Sequence, residues 1–198
     1  MRWPGEVADR DSLLLLMNKT VFLAGYYGFG NTGDEIILQT IVRQLRSRFP
    51  DLSLLVTSGS GEPPVAGADP ILWSDTIAMG EAISRSDLVL LGGGGLFHDY
   101  WGFDPNNALA DGHWGISYYT APAVFGALHG KPVMLYGVGV GPLLSGHGKA
   151  FTKAVCDAAD VITVRDGTSA GLLAGIGVPS QRVSVTAGPA FAFEPDLD

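Results

Sequence analysis

Cysteine is all but missing from this sequence. Cys156 stands alone among 198 residues, which excludes an intrachain disulfide and fits a reducing compartment. Charge is scarce as well, at 16% of residues, and lopsided. Twenty Asp and Glu against twelve Lys and Arg leave a formal net charge of −8. No basic run interrupts that deficit, so nucleic acid is disfavoured as the main partner, because a phosphate backbone demands a basic face. The apolar run Leu13–Met17 is too short to cross a bilayer. It also lacks the basic start and small-residue cleavage site of a secretory signal. His, Cys, Asp and Glu nowhere fall at metal-ligand spacing, so no metal is expected. The length sits below the range where chains usually split. Residues 1–18 read as a leader or edge segment, and residues 19–198 as a single domain.

Apolar, β-rich runs occur at Thr20–Ala24, Leu52–Thr57, Leu88–Leu91, Val133–Tyr136, Asp160–Val164 and Arg182–Thr186. Most are continuous rather than alternating, the pattern of strands buried on both faces of a parallel sheet. Helical patterns lie between them. In Asp34–Phe49, Ile37, Leu38, Ile41, Val42 and Leu45 form one apolar stripe, and Pro50 ends it. Thr76–Ser84, Ser117–Leu128, Lys149–Ala159 and Thr168–Ala174 are further helices, the last stopped by Gly175. Strand and helix in repeated alternation predict an α/β, Rossmann-like domain with a doubly wound parallel sheet. Ser58–Pro70 and Gly92–Gly115 read as loops.

The 28 glycines cluster where the apolar runs end. Three glycine-rich loops follow three strands: Gly25–Gly33, Gly92–Gly95 and Gly137–Gly141. In such a sheet ligands bind outside the carboxyl ends of the strands. Gly28, Gly30, Asn31 and Gly33, then Gly93, Gly94 and Gly95, then Gly139 and Gly141 are therefore candidate substrate-binding positions, where bare backbone approaches a ligand. Gly28-x-Gly30-x-x-Gly33 has the spacing of a dinucleotide fingerprint. The acid that should follow about 20 residues on, to hold a ribose, is missing, because the second strand ends in Val56-Thr57-Ser58. Asp34 and Glu35 would also repel a diphosphate seated there. They suit hydrogen bonds to hydroxyl groups, or removal of a proton from one. Helix capping is the plainer role for Asp34.

Five stretches occur in order: GYYGFGNTGDEIIL from Gly25, LLGGGGLFHD from Leu90, YGVGVGPL from Tyr136, VITVRDGTSAGLL from Val161 and VSVTAGPAF from Val183. This succession resembles the polysaccharide pyruvyl transferases over about Val21 to Phe191. The resemblance implies a fold similar to one lobe of the two-lobed (GT-B-like) glycosyltransferases. It implies transfer of an enolpyruvyl unit from phosphoenolpyruvate, as donor substrate and not cofactor, to a sugar of a cell-wall or exopolysaccharide precursor. The product is a pyruvate ketal. It further implies a saccharide or lipid-linked saccharide acceptor, a cytoplasmic location and peripheral membrane association through that acceptor. The family's second lobe, with its Arg-Leu-His type motif, has no counterpart after Phe191. The chain is therefore expected to be the first lobe, acting as a homodimer or paired with a second lobe. Gly188 stands before Pro189 where the family commonly has Asp.

Ketal formation requires an acid for the enol methylene, a base for the sugar hydroxyl, and donors for phosphate and carboxylate. Asp34, His98 and Asp99 are the catalytic candidates. Glu35 either shares the contact with the acceptor or is simply a helix residue. The ordinary histidine pKa lies near neutrality, which suits His98 to proton transfer, and Asp99 lies beside it, though neighbouring side chains need not face one way. His113 is a lesser candidate, and His129 and His147 sit where helix ends explain them. Arg165, at the end of a strand, can fork two bonds onto an anion or pair with Asp166. Tyr26, Tyr27, Tyr100, Trp101, Phe103 and Trp114 bring aromatic area to the same edge, which suits the apolar C–H faces of a sugar. Two other readings stand beside the first: a sugar-nucleotide-dependent glycosyltransferase lobe, and a non-catalytic saccharide-binding or interaction domain.

Overall fold

The computed structural model describes residues 19–107, 110 and 115–194. Residues 1–18, expected as a leader or edge segment, and the candidates His113 and Trp114 lie outside them. Seven parallel strands form one sheet in the order β3-β2-β1-β4-β5-β6-β7. They are β1 (Thr20–Ala24), β2 (Ser53–Ser58), β3 (Asp69–Leu72), β4 (Leu88–Gly92), β5 (Val133–Val138), β6 (Val161–Val164) and β7 (Val183–Val185). Among the described residues five α-helices connect them: α1 (Thr32–Arg48), α2 (Thr76–Ser84), α3 (Ile116–Leu128), α4 (Gly146–Ala158) and α5 (Gly167–Gly175). Strand order reverses between β1 and β4, which opens the crevice where ligands bind in this architecture.

Alternation along β1 builds two cores, one on each face of the sheet. Val21 and Leu23 join Leu38, Ile41 and Val42 of α1 with Leu54, Val56 and Leu90. Phe22 and Ala24 join Met79, Ile83, Ala121, Val155 and Leu173, from α2 to α5, on the other face. Strands β1, β2 and β4 are thus buried on both faces, as continuous apolar runs require. The expectation does not extend to β5 and β6. There Met134, Tyr136, Val161 and Thr163 alternate half-buried with buried neighbours, because they face the side on which α1 packs over β1, β2 and β4.

Side-chain caps set four of the helix starts. Asn31, Asp75, Ser145 and Asp166 each accept a hydrogen bond from a backbone N–H of the first turn, satisfying donors that have no partner in the helix. The C-terminal stop of α5 is Gly177 rather than Gly175. Gly177 has φ +86°. Its N–H donates to the Ala174 carbonyl, and that of Val178 donates to the Leu173 carbonyl, each at 3.0 Å. These are the two reverse bonds of a Schellman turn, which needs a left-handed residue one position beyond the cap.

Two segments read as loops are partly sheet. β3 lies across the end of Ser58–Pro70 and contains Pro70. The missing proline N–H is tolerated because β3 is an edge strand. The stretch after β4 continues the β4–β5 pairing beyond both strands. Gly139 N–H donates to the Gly94 carbonyl (2.7 Å), Phe97 N–H to Gly139 (3.3 Å), Gly141 N–H to Phe97 (2.7 Å) and Asp99 N–H to Pro142 (3.1 Å).

Asp99 locks the far end of this extension. Its side chain is buried, with only 4% of the residue exposed. It accepts bonds from Leu144 N–H (2.6 Å), Ser145 N–H (2.8 Å) and the Ser145 hydroxyl. That same hydroxyl accepts from Gly148 N–H at 2.9 Å and so caps α4. Burial pushes the Asp99 carboxyl up, but the bonds from Leu144 and Ser145 outweigh it and hold the carboxyl below its ordinary range. Stability from this group is therefore complete above the unfolded-state value near 4 and is lost as pH falls through the lower folded-state value. Asp99→Asn turns an amide donor toward one of the two N–H groups that the carboxylate accepts from. It is expected to lower unfolding free energy by about 2 kcal/mol at pH 7. Urea titration checks this, with the gap to wild type narrowing below pH 4.

Candidate functional site

A hollow of about 690 Å³ opens at the carboxyl ends of the central strands. Tyr26, Asn31 and Asp34 line it from the β1 loop and the first turn of α1. Gly95, Leu96, His98, Tyr100 and Trp101 come from the β4 extension, Gly115 and Tyr119 from the start of α3, and Gly141 and Arg165 from the ends of β5 and β6. Asp34 and Arg165, 131 positions apart in the chain, meet here because the parallel topology brings the ends of β1 and β6 to one rim.

The first glycine loop is self-satisfied. Gly28 N–H donates to the Glu35 carboxylate at 2.7 Å, and Gly33 N–H to the Asn31 side chain at 3.0 Å. Glu35 therefore reaches back to brace the loop and does not line the hollow. Gly28 and Gly30 supply left-handed turns, with φ +73° and +78°. Gly28, Gly30 and Gly33, expected at the ligand, are not among the residues that line the hollow. They shape the loop, while Asn31 and Asp34 line the hollow. Asn31, not Asp34, caps α1, which leaves the Asp34 carboxylate unclaimed by the helix end. The Tyr27 ring is buried beneath the loop, and its hydroxyl donates to the Gly92 carbonyl at 2.6 Å. Tyr27 is thus a strut between the β1 and β4 loops, not part of the rim.

The second and third glycine loops provide a floor stripped of side chains. A Cβ at Gly94 would lie 2.5 Å from Oδ1 of Asp34, and one at Gly139 would lie 2.7 Å from Nε and Cζ of Arg165. Gly94 and Gly139 are themselves joined by a backbone hydrogen bond of 2.7 Å. The carboxylate and the guanidinium therefore rest on two paired, bare backbone segments. Gly93 instead packs against Ile37 of α1, and Gly95 and Gly141 reach the hollow directly.

The electrostatics follow from this placement. Burial drives the Asp34 carboxyl from 3.8 up to about 6, Glu35 adds to the rise, and Arg165 opposes it. Arg165 is about half-exposed and also contacts Asp166 at 3.3 Å. Asp166 in turn caps α5 through Ser169 N–H at 2.7 Å. Of the two roles foreseen for Arg165, the pairing with Asp166 is present, and the guanidinium also lines the hollow.

His98 lines the hollow, half-buried, and its ring stacks on Tyr100 with centroids 4.1 Å apart. Burial holds its pKa below the ordinary value, with Asp99 opposing, so the imidazole is neutral at pH 7. Its Nδ1 is buried without a hydrogen-bond partner among the described residues. Asp99 is the clear departure from expectation. It turns away from the hollow into the Leu144–Ser145 turn, where its acceptor sites are engaged, and it is not placed to touch a substrate. Phe103 packs against Phe151 of α4 instead of joining the rim. Sequence reasoning missed Tyr119 as a lining residue. It reads as one more apolar position of α3, and only the turn at Gly115 (φ +60°) aims that end of the helix at the hollow.

No curated protein sequence gives a significant match to the chain. Among solved structures, UDP-GlcNAc 2-epimerase from Neisseria meningitidis bound to UDP-GlcNAc superposes with TM-score 0.54 at 13% identity, over 87% of this chain and 47% of that one. The S. aureus MnaA–UDP structure gives TM-score 0.55 at 16% identity, over 90% and 47%. Anabaena HepE in complex with UDP-glucose gives 0.53 at 10% identity, over 85% and 43%. At these identities the likeness is one of fold, and the chain spans less than half the length of each. The description of the polysaccharide pyruvyl transferase family matches residues 31–198, a span holding the hollow's floor, Asp34, His98 and Arg165. The chain belongs to the polysaccharide pyruvyl transferase family.

Proposed function

We propose that this lobe binds phosphoenolpyruvate and a saccharide in the 690 Å³ hollow and serves ketal formation between them. The observation that carries the reading is the Asp34 carboxyl and the Arg165 guanidinium sharing the Gly94–Gly139 floor. A sugar hydroxyl oxygen bonds to C2 of the enol while C3 gains a proton and the hydroxyl loses one. The bond from C2 to the phosphate oxygen then breaks, phosphate leaves, and a second hydroxyl closes the ketal with loss of its proton. Asp34, titrating near 6, is suited to accept a hydroxyl proton at neutral pH. Arg165 suits a fork onto the donor's carboxylate or phosphate. Neutral His98 offers a second site for a proton within the same hollow.

A lobe facing this rim, from further polypeptide or a second copy, would complete the cleft and bring more cationic groups to the donor. No helix among the described residues is long and apolar enough to cross a membrane. On this reading the reaction takes place on the cytoplasmic side, with membrane contact through a lipid-linked acceptor. A second reading, a sugar-nucleotide-dependent transferase lobe, draws support from the structural neighbours whose titles name UDP or UDP-sugars. Against it stands the Asp34 carboxylate, which would meet a diphosphate seated in the hollow.

Two outcomes are expected. In a thermal-shift series, phosphoenolpyruvate with a saccharide raises Tm by about 5 °C at saturation, while UDP alone leaves it in place. A strong shift with UDP alone would overturn the reading in favour of the nucleotide. Asp34→Asn removes a carboxylate that is costly to ionise in the fold. Because the folded-state pKa is raised, wild-type stability falls as pH rises from about 3.8 to about 6, and the variant escapes that loss. Asp34→Asn should therefore be about 1 to 2 kcal/mol more stable than wild type at pH 7 and equal to it near pH 3.5. It should release phosphate from phosphoenolpyruvate at least about a hundredfold more slowly. Chemical denaturation at the two pH values and a phosphate assay check both parts.

A further inference from the structure

The rim of the hollow carries an aromatic surface that packing does not explain. Trp101 is 85% exposed and Tyr100 is 49% exposed. A large apolar side chain left in water is informative where it is placed beside a cavity. Both residues line the same hollow as Asp34 and Arg165. They also form a continuous array with His98. The His98 and Tyr100 rings stack at 4.1 Å with planes 17° apart, and Tyr100 and Trp101 follow at 5.0 Å and 54°. The inner end of the array is anchored by the half-buried imidazole, so Tyr100 is held by stacking on one side. On the β1 loop, the hollow's Tyr26 is itself stacked on Phe29, with ring centroids at 4.3 Å and planes 7° apart.

These rings differ from the rest of the hollow in chemistry. Asp34 and Arg165 supply charge for an anionic donor and for proton transfer. Tyr100 and Trp101 supply flat apolar area with a polar edge, which complements a pyranose ring: an apolar C–H face against the π face, with the ring's hydroxyls free at its border. Trp and Tyr lose little conformational freedom when a ligand lands on them. We infer that Tyr100 and Trp101 form the stacking shelf for the acceptor saccharide, and that they select a pyranose with one unobstructed C–H face. The inference rests on the proposed pyruvyl-transfer reading and adds to it which residues hold the acceptor.

The test is saturation-transfer NMR and fluorescence titration of the full chain with methyl β-D-galactopyranoside and methyl β-D-glucopyranoside, with phosphoenolpyruvate and UDP titrated in parallel. The shelf predicts strongest saturation on the C–H protons of one ring face. It predicts roughly tenfold weaker glycoside binding in Trp101→Ala and Tyr100→Ala. Trp101→Phe, which keeps a ring, should stay within about threefold of wild type, and phosphoenolpyruvate binding should be alike in all four proteins. Wild type that binds both ligands while Trp101→Ala and Tyr100→Ala hold the glycosides equally well overturns the shelf and leaves the reading of the hollow intact. Wild type that binds UDP but neither glycoside nor phosphoenolpyruvate overturns both. Equal loss of phosphoenolpyruvate and glycoside in the alanine variants also overturns the shelf, because it marks a collapse of the rim. Circular dichroism and Tm of each variant identify that case.

Discussion

The backbone hydrogen bond from Gly139 N–H to the Gly94 carbonyl at 2.7 Å, the first of four along the same extension, joins the two residues on which the site rests. It extends the parallel pairing of β4 and β5 past the ends of both strands, where loops would ordinarily diverge. Because the two residues so joined are glycines, their side of the ladder is bare. The Asp34 carboxylate settles on one and the Arg165 guanidinium on the other. A methyl group at either position would occupy the space of a charged group. At Gly94 it would also impose a left-handed backbone, φ +73°, on a residue that resists it.

The electrostatic consequence runs in one direction. Asp34 stands in the first turn of α1, where the helix end favours an anion, yet its carboxyl is raised to about 6. Burial wins over the dipole and over the nearby guanidinium. A carboxyl so tuned, beside a fixed cation and a neutral imidazole, can exchange a proton near neutral pH. The surrounding structure bears the cost of holding it there. Tyr27 struts the two loops from below, Glu35 braces Gly28, and Asp99 ties the β4 extension to the start of α4.

The sequence carried some of this openly and concealed the rest for definite reasons. β1, β2 and β4 are legible because strands buried on both faces need unbroken apolar runs. β3 is hidden because Pro70 reads as a loop residue, and only an edge position lets it pair. The apolar pattern starts α1 two residues late and α4 three residues late, since caps at Asn31 and Ser145 precede the apolar periodicity. Asp34 and Arg165 could be chosen because each follows a strand at the ligand-bearing edge. Asp99 could not be separated from His98 in the same way. Which way it turns is decided by the N–H groups of Leu144 and Ser145, more than forty residues on, and no local pattern records that partner. Gly28 and Gly33 mislead similarly: their N–H groups look free in a glycine loop, but Glu35 and Asn31 engage them first.

Carbon-detected NMR titration of the Asp34 side-chain carboxyl, in wild type and in Arg165→Met, tests the shared floor most directly. A carboxylate lying over Gly94 with the guanidinium over Gly139 titrates near 6 in wild type and distinctly higher once the positive charge is removed. Titration near the ordinary aspartate value of 3.8, unchanged by the substitution, would mean that the two groups do not share the hollow.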